Sequence, residues 1–274
     1  MAQHPLVTAY YQTVKTGLRE GRKEDYGIFY GTAESLPGRT FQIDKETLGP
    51  HTAAESALVV FPDESAVTVA RPVFLFRDPV DTWNGWFNQG WRRFSLFQLA
   101  YANAFKTMLF ARAVDDMAVF CTTYERLTTN PQETLTAICN HWGVPYSNGL
   151  LDWKTNIGRN GTIRGGADFV RSIAEGSFSD VQQNGTIRAL HRQRVIPESD
   201  VQRVAAGPLR EMYAFAERES RKAEARVADA NVAGKLSART GSIAFGTGAG
   251  QRPALRDGVQ TVEMRAGSVV VRVV

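Results

Sequence analysis

The stretch Val73–Trp86, VFLFRDPVDTWNGW, decides how the chain is read. Four apolar residues, Val73 to Phe76, run without interruption into Arg77, Asp78 and Pro79. A continuous apolar run of strand length marks a strand covered on both faces, as in parallel sheets. Pro79 stops such a strand and suits the first turn of a helix. Arg77 therefore falls at the C-terminal mouth of the strand, the edge where open α/β sheets bind ligands. Its five fixed donors suit a phosphate or a sulfate. The alternative is a structural arginine paired with Asp78 or Asp81.

Working outward, Phe41 to Lys45 alternates and predicts a short strand. Ala53 to Phe61 predicts a helix ending at Pro62. Ser95 to Ala113 predicts a longer one, with Phe97, Tyr101, Phe105 and Leu109 recurring at spacing four. Met117 to Cys121 reads as another buried strand. The next helix has Asn130 at its N-cap, Pro131 at its first position, Glu133 as a capping-box acid and Gly143 just past its end. Strand alternating with helix implies an α/β fold with a parallel sheet covered on both faces. Val201 to Ala233 predicts a charged amphipathic helix. Residues 1–233 form the expected domain, and 234–274 a Gly-rich tail or small appended hairpin. The pentapeptide NGTIR at Asn160–Arg164 and Asn184–Arg188 is too short for a repeat architecture.

The 274 residues are 43% apolar and 22% charged, ordinary for a globular chain, with a formal charge of +4. That balance is too weak to argue for nucleic acid and compatible with a small anionic ligand. Two cysteines, Cys121 and Cys139, give no disulfide framework and no metal-ligand spacing. With neither a signal peptide nor a membrane-length apolar run, the expectation is a cytoplasmic protein with no membrane partner.

VFLFRDPVDTWNGW resembles the 3′-phosphate-binding segment of the P-loop sulfotransferases, an apolar strand followed by Arg-x-Pro and a short helix. VFCTTYERLTTNPQETLTAICNHWGVPYSNGLLDW, from Val119 to Trp153, is similar to that family's later strand, its Tyr-Glu-x-Leu element (here Tyr124 to Leu127), its x-Pro-x-x-x-Leu helix and its Gly-hydrophobic-Pro exit. The resemblance covers about residues 1–155. It implies a three-layer P-loop NTPase-like sheet, and transfer of a sulfuryl group from 3′-phosphoadenosine-5′-phosphosulfate to a hydroxyl or amine of a small-molecule acceptor, without a metal. Two departures stand out. No glycine-rich phosphate loop precedes a helix near the N-terminus, where MAQHPLV resembles the end of the family's first helix. The expected domain is thus N-terminally incomplete, lacking its first strand and phosphate loop. Gly241 to Gly248 is Gly-rich but lacks the Lys-Ser/Thr ending. The second departure is Gly85, which stands where the family places a serine hydroxyl on the phosphate. Asn84, or the helix N-terminus, is the expected substitute.

By the same resemblance the cofactor-binding residues are Arg77, Asn84 and Gly85, and the catalytic ones Asp44, Lys45 and Glu46. The resemblance implies that Lys45 neutralises sulfuryl oxygens and that either Asp44 or Glu46 is the base; the alternative is a solvated strand end. His51 is a displaced alternative; His4, His141 and His191 are structural or exposed. Arg159 to Phe169 is similar to a late donor-closing loop or is a Gly-rich surface loop. Trp83, Trp86, Phe87, Trp91 and Phe94 line an acceptor pocket or pack a helix. A non-catalytic binding relative and a P-loop kinase-like phosphotransferase remain as alternative readings.

Overall fold

The computed structural model describes residues 4–21, 26, 27, 29, 37–151, 163–165, 187, 193–240 and 268–273. The strands are β1 (Val7–Tyr11), β2 (Phe41–Glu46), β3 (Val73–Phe76), β4 (Phe120–Thr123), β5 (Ile163–Gly165) and β6 (Ser268–Val273). The helices are α1 (Thr13–Arg19), α2 (Ala53–Ser56), α3 (Glu64–Ala70), α4 (Pro79–Asn88), α5 (Phe94–Val114), α6 (Tyr124–Thr129), α7 (Pro131–Trp142), α8 (Glu198–Ala205) and α9 (Pro208–Thr240). The fold is α/β and every described strand pairing is parallel. Two small parallel blocks, β5-β1-β2 and β3-β4, are joined through β6 into the order β4-β3-β6-β2-β1-β5.

Two parts of this sheet differ from expectation. Val7–Tyr11 is a strand where the end of a helix was expected. VTAYY is rich in β-branched and aromatic residues, which pack well on a pleated surface, and all but Tyr11 are buried. Ser268–Val273 does not form an appended hairpin. It lies between β2 and β3, with Lys45 opposite Val271 and Val271 opposite Val73. Residues 268–273 thus join the two blocks, where a tail or hairpin was expected.

Alternation along the strands builds two cores. Tyr10, Phe74 and Phe76 pack on Phe97, Tyr101, Ala104 and Met108 of α5 and on Ala66, Val67 and Ala70 of α3. On the other face Val7, Ile43, Val73 and Phe120 meet Ala137, Ile138 and Trp142 of α7. The α5 and α7 boundaries agree with the sequence reading to within one residue. Leu109 is exposed all the same. Spacing four overshoots the helical turn by about 40° per step, so a stripe begun at Phe97 has rotated away by Leu109. Gly143 ends α7 at φ +67°, but Asn130 makes no side-chain capping bond.

Elsewhere local chemistry moves the boundaries. The helix expected over Ala53–Phe61 stops at Ser56, and a separate helix α3 starts after Asp63, which accepts from the Ala66 amide. Asp115 accepts from the amides of Met117 and Ala118, making a short 3-10 turn, so β4 begins only at Phe120. The helix expected over Val201–Ala233 is two, α8 and α9, with α9 opening on Pro208. No helix among the described residues is long and apolar enough to cross a membrane.

Candidate functional site

The C-terminal edge of the sheet brings the two family-like motifs together. Phe76 pairs with Thr123, so Arg77 and Tyr124 leave neighbouring strands side by side. The Arg77 guanidinium lies over the Tyr124 ring, 4.6 Å from its centre. Next to it, Glu125 Oε1 accepts from the Asp78 amide at 3.0 Å, and Glu125 Oε2 accepts from the Tyr213 hydroxyl at 2.6 Å. Tyr101 and Thr82 donate to the Arg77 carbonyl. The backbone at Arg77 is therefore fixed from α4, α5 and α6.

The side chain is held differently. Its Nε is buried with no hydrogen-bond partner. Neither Asp78 nor Asp81 pairs with it: Asp78 Oδ2 binds Arg210 at 2.6 Å, while Oδ1 caps the Val80 and Asp81 amides. Stacking orients the guanidinium without using its donors, which leaves an arginine fork open to an anion. The first amides of α4 are already occupied by Asp78, so that helix N-terminus does not substitute for a missing hydroxyl.

Asn84 lies beneath this edge, buried. Its Oδ1 accepts from the Val195 amide at 2.9 Å and its Nδ2 donates to the Gln193 carbonyl at 3.1 Å. The amide thus latches residues 193–195 to α4. Gly85 faces open space, where an added Cβ meets nothing within 4 Å. The five aromatics of the sequence reading form a packed cluster: Trp83 contacts Phe87, Phe94 and Phe97, and Trp86 contacts Trp91 and Phe97.

The triplet Asp44-Lys45-Glu46 is split by the pleat. Asp44 and Glu46 point toward α1 and are fully enclosed. Thr13 Oγ1 donates to Asp44 Oδ2 at 2.5 Å, and the Val14 amide donates to Glu46 Oε1 at 2.7 Å. Burial pushes the Asp44 carboxyl above its ordinary range; burial, reinforced by Asp44, pushes Glu46 further up. Lys45 is on the opposite face, its Nζ 5.1 Å from the centre of the Tyr11 ring, and burial pulls it down to about 8. A carboxylate and a lysine adjacent in a strand do not share a face.

Lys15 escaped the sequence reading. It is buried, and its Nζ donates to the Thr47 carbonyl at 2.8 Å, Thr47 Oγ1 at 3.0 Å and the Gly49 carbonyl at 2.7 Å. Burial, then Arg19, pull it down to about 7. The usable signal was its place on the buried face of α1, between Val14 and Gly17. Gly49 takes φ +66° and sits so close under Trp86 that a Cβ there would come within 2.4 Å of the ring. Two residues on, His51 is exposed, its ring edge-on to Trp91 at 5.7 Å. His4 and His141 are buried and bonded to backbone carbonyls. His191 and most of the loop Arg159–Phe169 lie outside the described residues.

Arg77 precedes the N-terminus of α4, and Trp91, against which His51 packs, follows its C-terminus; the ten residues of the helix span about 15 Å. Among the described residues no group of three or more His, Cys, Asp or Glu is arranged to hold a metal ion. Comparison with protein-family models, with curated proteins and with solved structures finds no match to this chain.

Proposed function

We propose that this chain is a sulfotransferase-like protein that binds the nucleotide donor 3′-phosphoadenosine-5′-phosphosulfate and passes its sulfuryl group to a hydroxyl or amine of a small molecule. The observation that carries the reading is Arg77: a buried Nε without a partner, a ring beneath the guanidinium, and a backbone locked at the ligand edge of a parallel sheet. These residues fit the 3′-phosphate of the donor. Between each of β1 to β4 and the helix that follows it there is no glycine-rich loop for the phosphosulfate.

In such a reaction the acceptor's O–H or N–H proton passes to a base. A new bond forms to sulfur, and the bond from sulfur to the bridging oxygen breaks. The electron pair leaves with adenosine 3′,5′-bisphosphate. Cations that meet the growing negative charge lower the barrier. Exposure favours His51 as the base over Asp44 and Glu46, which no acceptor reaches in their enclosed positions. Lys45, on the opposite face from the carboxylates, is the cation of this triplet suited to sulfuryl oxygens.

Thermal unfolding with added nucleotide tests the reading. A ligand that binds only the folded state raises the melting temperature. Adenosine 3′,5′-bisphosphate is expected to raise it, and Arg77→Ala to abolish the rise. A shift with ATP alone replaces the reading with a phosphotransferase. No shift with either nucleotide removes Arg77 as an anion ligand.

A further inference from the structure

Beneath β2, two buried carboxyls lie near one buried cation, Lys15. Asp44 and Glu46 stand two residues apart on one strand face, and both are fully buried. Each has one oxygen held by α1, through Thr13 Oγ1 and the Val14 amide. The remaining oxygens, Asp44 Oδ1 and Glu46 Oε2, have no donor. Residues two apart on one strand face stand about 7 Å apart, a span that two carboxyl side chains converging on α1 can close. Two ionised carboxylates cannot bond to one another, and two orphaned anionic oxygens in a dry enclosure are strongly unfavourable.

The surrounding charges are consistent with one missing proton. Lys15 Nζ faces three acceptors, Thr47 O, Thr47 Oγ1 and Gly49 O, a set matched by the three N–H groups of an ammonium. Arg19 of α1 binds Glu55 of α2 through both Nε and Nη2, at 3.1 and 3.2 Å, and that pair is neutral by itself. Lys45 points to the other face, toward Tyr11. The Lys15 ammonium is then balanced by one negative charge on the two carboxyls together, not by two.

We infer that Asp44 and Glu46 form a proton-binding site that holds a single shared proton, bridging Asp44 Oδ1 and Glu46 Oε2 and making the enclosure with Lys15 electrically neutral. The proton supplies the donor that both orphan oxygens lack. The site is independent of the nucleotide reading, because it concerns how α1 is fastened to β2. Burial raises both acids, so the folded chain keeps a proton that the unfolded chain has released. This contribution to stability is full below the ordinary carboxylate range and is lost as pH rises through the raised value. Lys15 works in the opposite direction: its folded value, lowered to about 7, makes stability rise with pH above that point. The dyad is therefore read from the difference between wild type and Glu46→Gln, with Lys15 present in both.

The test is an infrared titration of the full chain combined with thermal unfolding across the same pH range. At neutral pH the wild type should show the carbonyl stretch of a buried protonated carboxyl, and that band should disappear on raising the pH, in step with a loss of melting temperature. Glu46→Gln should lack the band and lose less stability toward alkaline pH. Should the variant not fold, the wild-type titration decides alone. A wild type with no protonated-carboxyl band at neutral pH overturns the inference. So does a melting temperature that follows sodium or potassium concentration instead of pH, which would place a metal cation between the two oxygens.

Discussion

The Arg77 guanidinium rests on the Tyr124 ring at 4.6 Å, and the next residues along, Asp78 and Glu125, are joined through a backbone amide. Two segments about fifty residues apart thus act as one unit. The stacking fixes the arginine's plane and leaves its donors free, which a salt bridge would not.

Arg77→Ala should weaken binding of adenosine 3′,5′-bisphosphate at least about tenfold, ~1.4 kcal/mol, measured by calorimetry. Arg77→Lys should recover little of it, because an ammonium neither stacks flat nor offers a fork. Both variants should melt close to wild type, since the lost cation–aromatic contact is worth about 1 kcal/mol or less.

Glu125→Ala removes two charge-assisted hydrogen bonds, to the Asp78 amide and the Tyr213 hydroxyl. The expected loss in urea unfolding is about 2–4 kcal/mol. Tyr213→Phe removes one of the two and should cost about half as much. Equal costs would mean that the Asp78 amide finds another acceptor.

Gly85→Ser should fold normally, because the added atoms enter open space. Serine is the better helix former, so α4 gains a few tenths of a kcal/mol. If a phosphate lies beside Arg77, the new hydroxyl should also tighten adenosine bisphosphate severalfold in the same calorimetric assay. A stabilised helix with unchanged affinity would separate Gly85 from the anion.

Gly49→Ala should be destabilising by about 1–3 kcal/mol in thermal or chemical unfolding. The residue sits at φ +66°, and the new methyl would meet Trp86. Trp86→Leu in the same chain should return part of the loss, by relieving the collision but not the backbone strain.

Below pH 6.5 His141 should work against the folded state, in the direction opposite to the Asp44–Glu46 pair. Burial, then the charge of Arg71, pull His141 down to about 4. Between pH 6.5 and about 4 the unfolded chain takes up a proton at this residue that the folded chain refuses, so the His141 contribution to ΔG, read as the difference between wild type and His141→Gln, decreases by up to about 3 kcal/mol across that window. Urea titrations at several pH values measure this, and His141→Gln should flatten the slope.

Much of the frame was legible where local signals agreed. Val73–Phe76 is buried at all four positions, so no alternation was needed to recognise it. Helix α7 announced both ends, through Pro131 and Gly143. Helix α3 was readable from Asp63 and overlooked, because the apolar run Ala57–Phe61 drew the preceding helix too far. Of the candidate site, Arg77 was legible because its position follows from the strand it ends. The split of Asp44 and Glu46 from Lys45 was also available, from strand alternation alone. The bonding of Asn84 to residues 193–195 was not, because a partner about 110 positions away leaves no local trace. For the same reason SVVVRV could not be told from a tail: what makes it a central strand is the gap between β2 and β3, which other segments create.

That gap has a consequence for how the molecule comes into being. β6 is the last of the described strands to leave the ribosome, and its pairings reach back to Gln42–Glu46 and Val73–Leu75, made some two hundred residues earlier. Until it emerges, β2 and β3 each face an unpaired edge, the kind of surface that invites pairing with other chains. Formation of the complete sheet thus waits until residues 268–273 have been made, and its slowest contacts are its most distant ones.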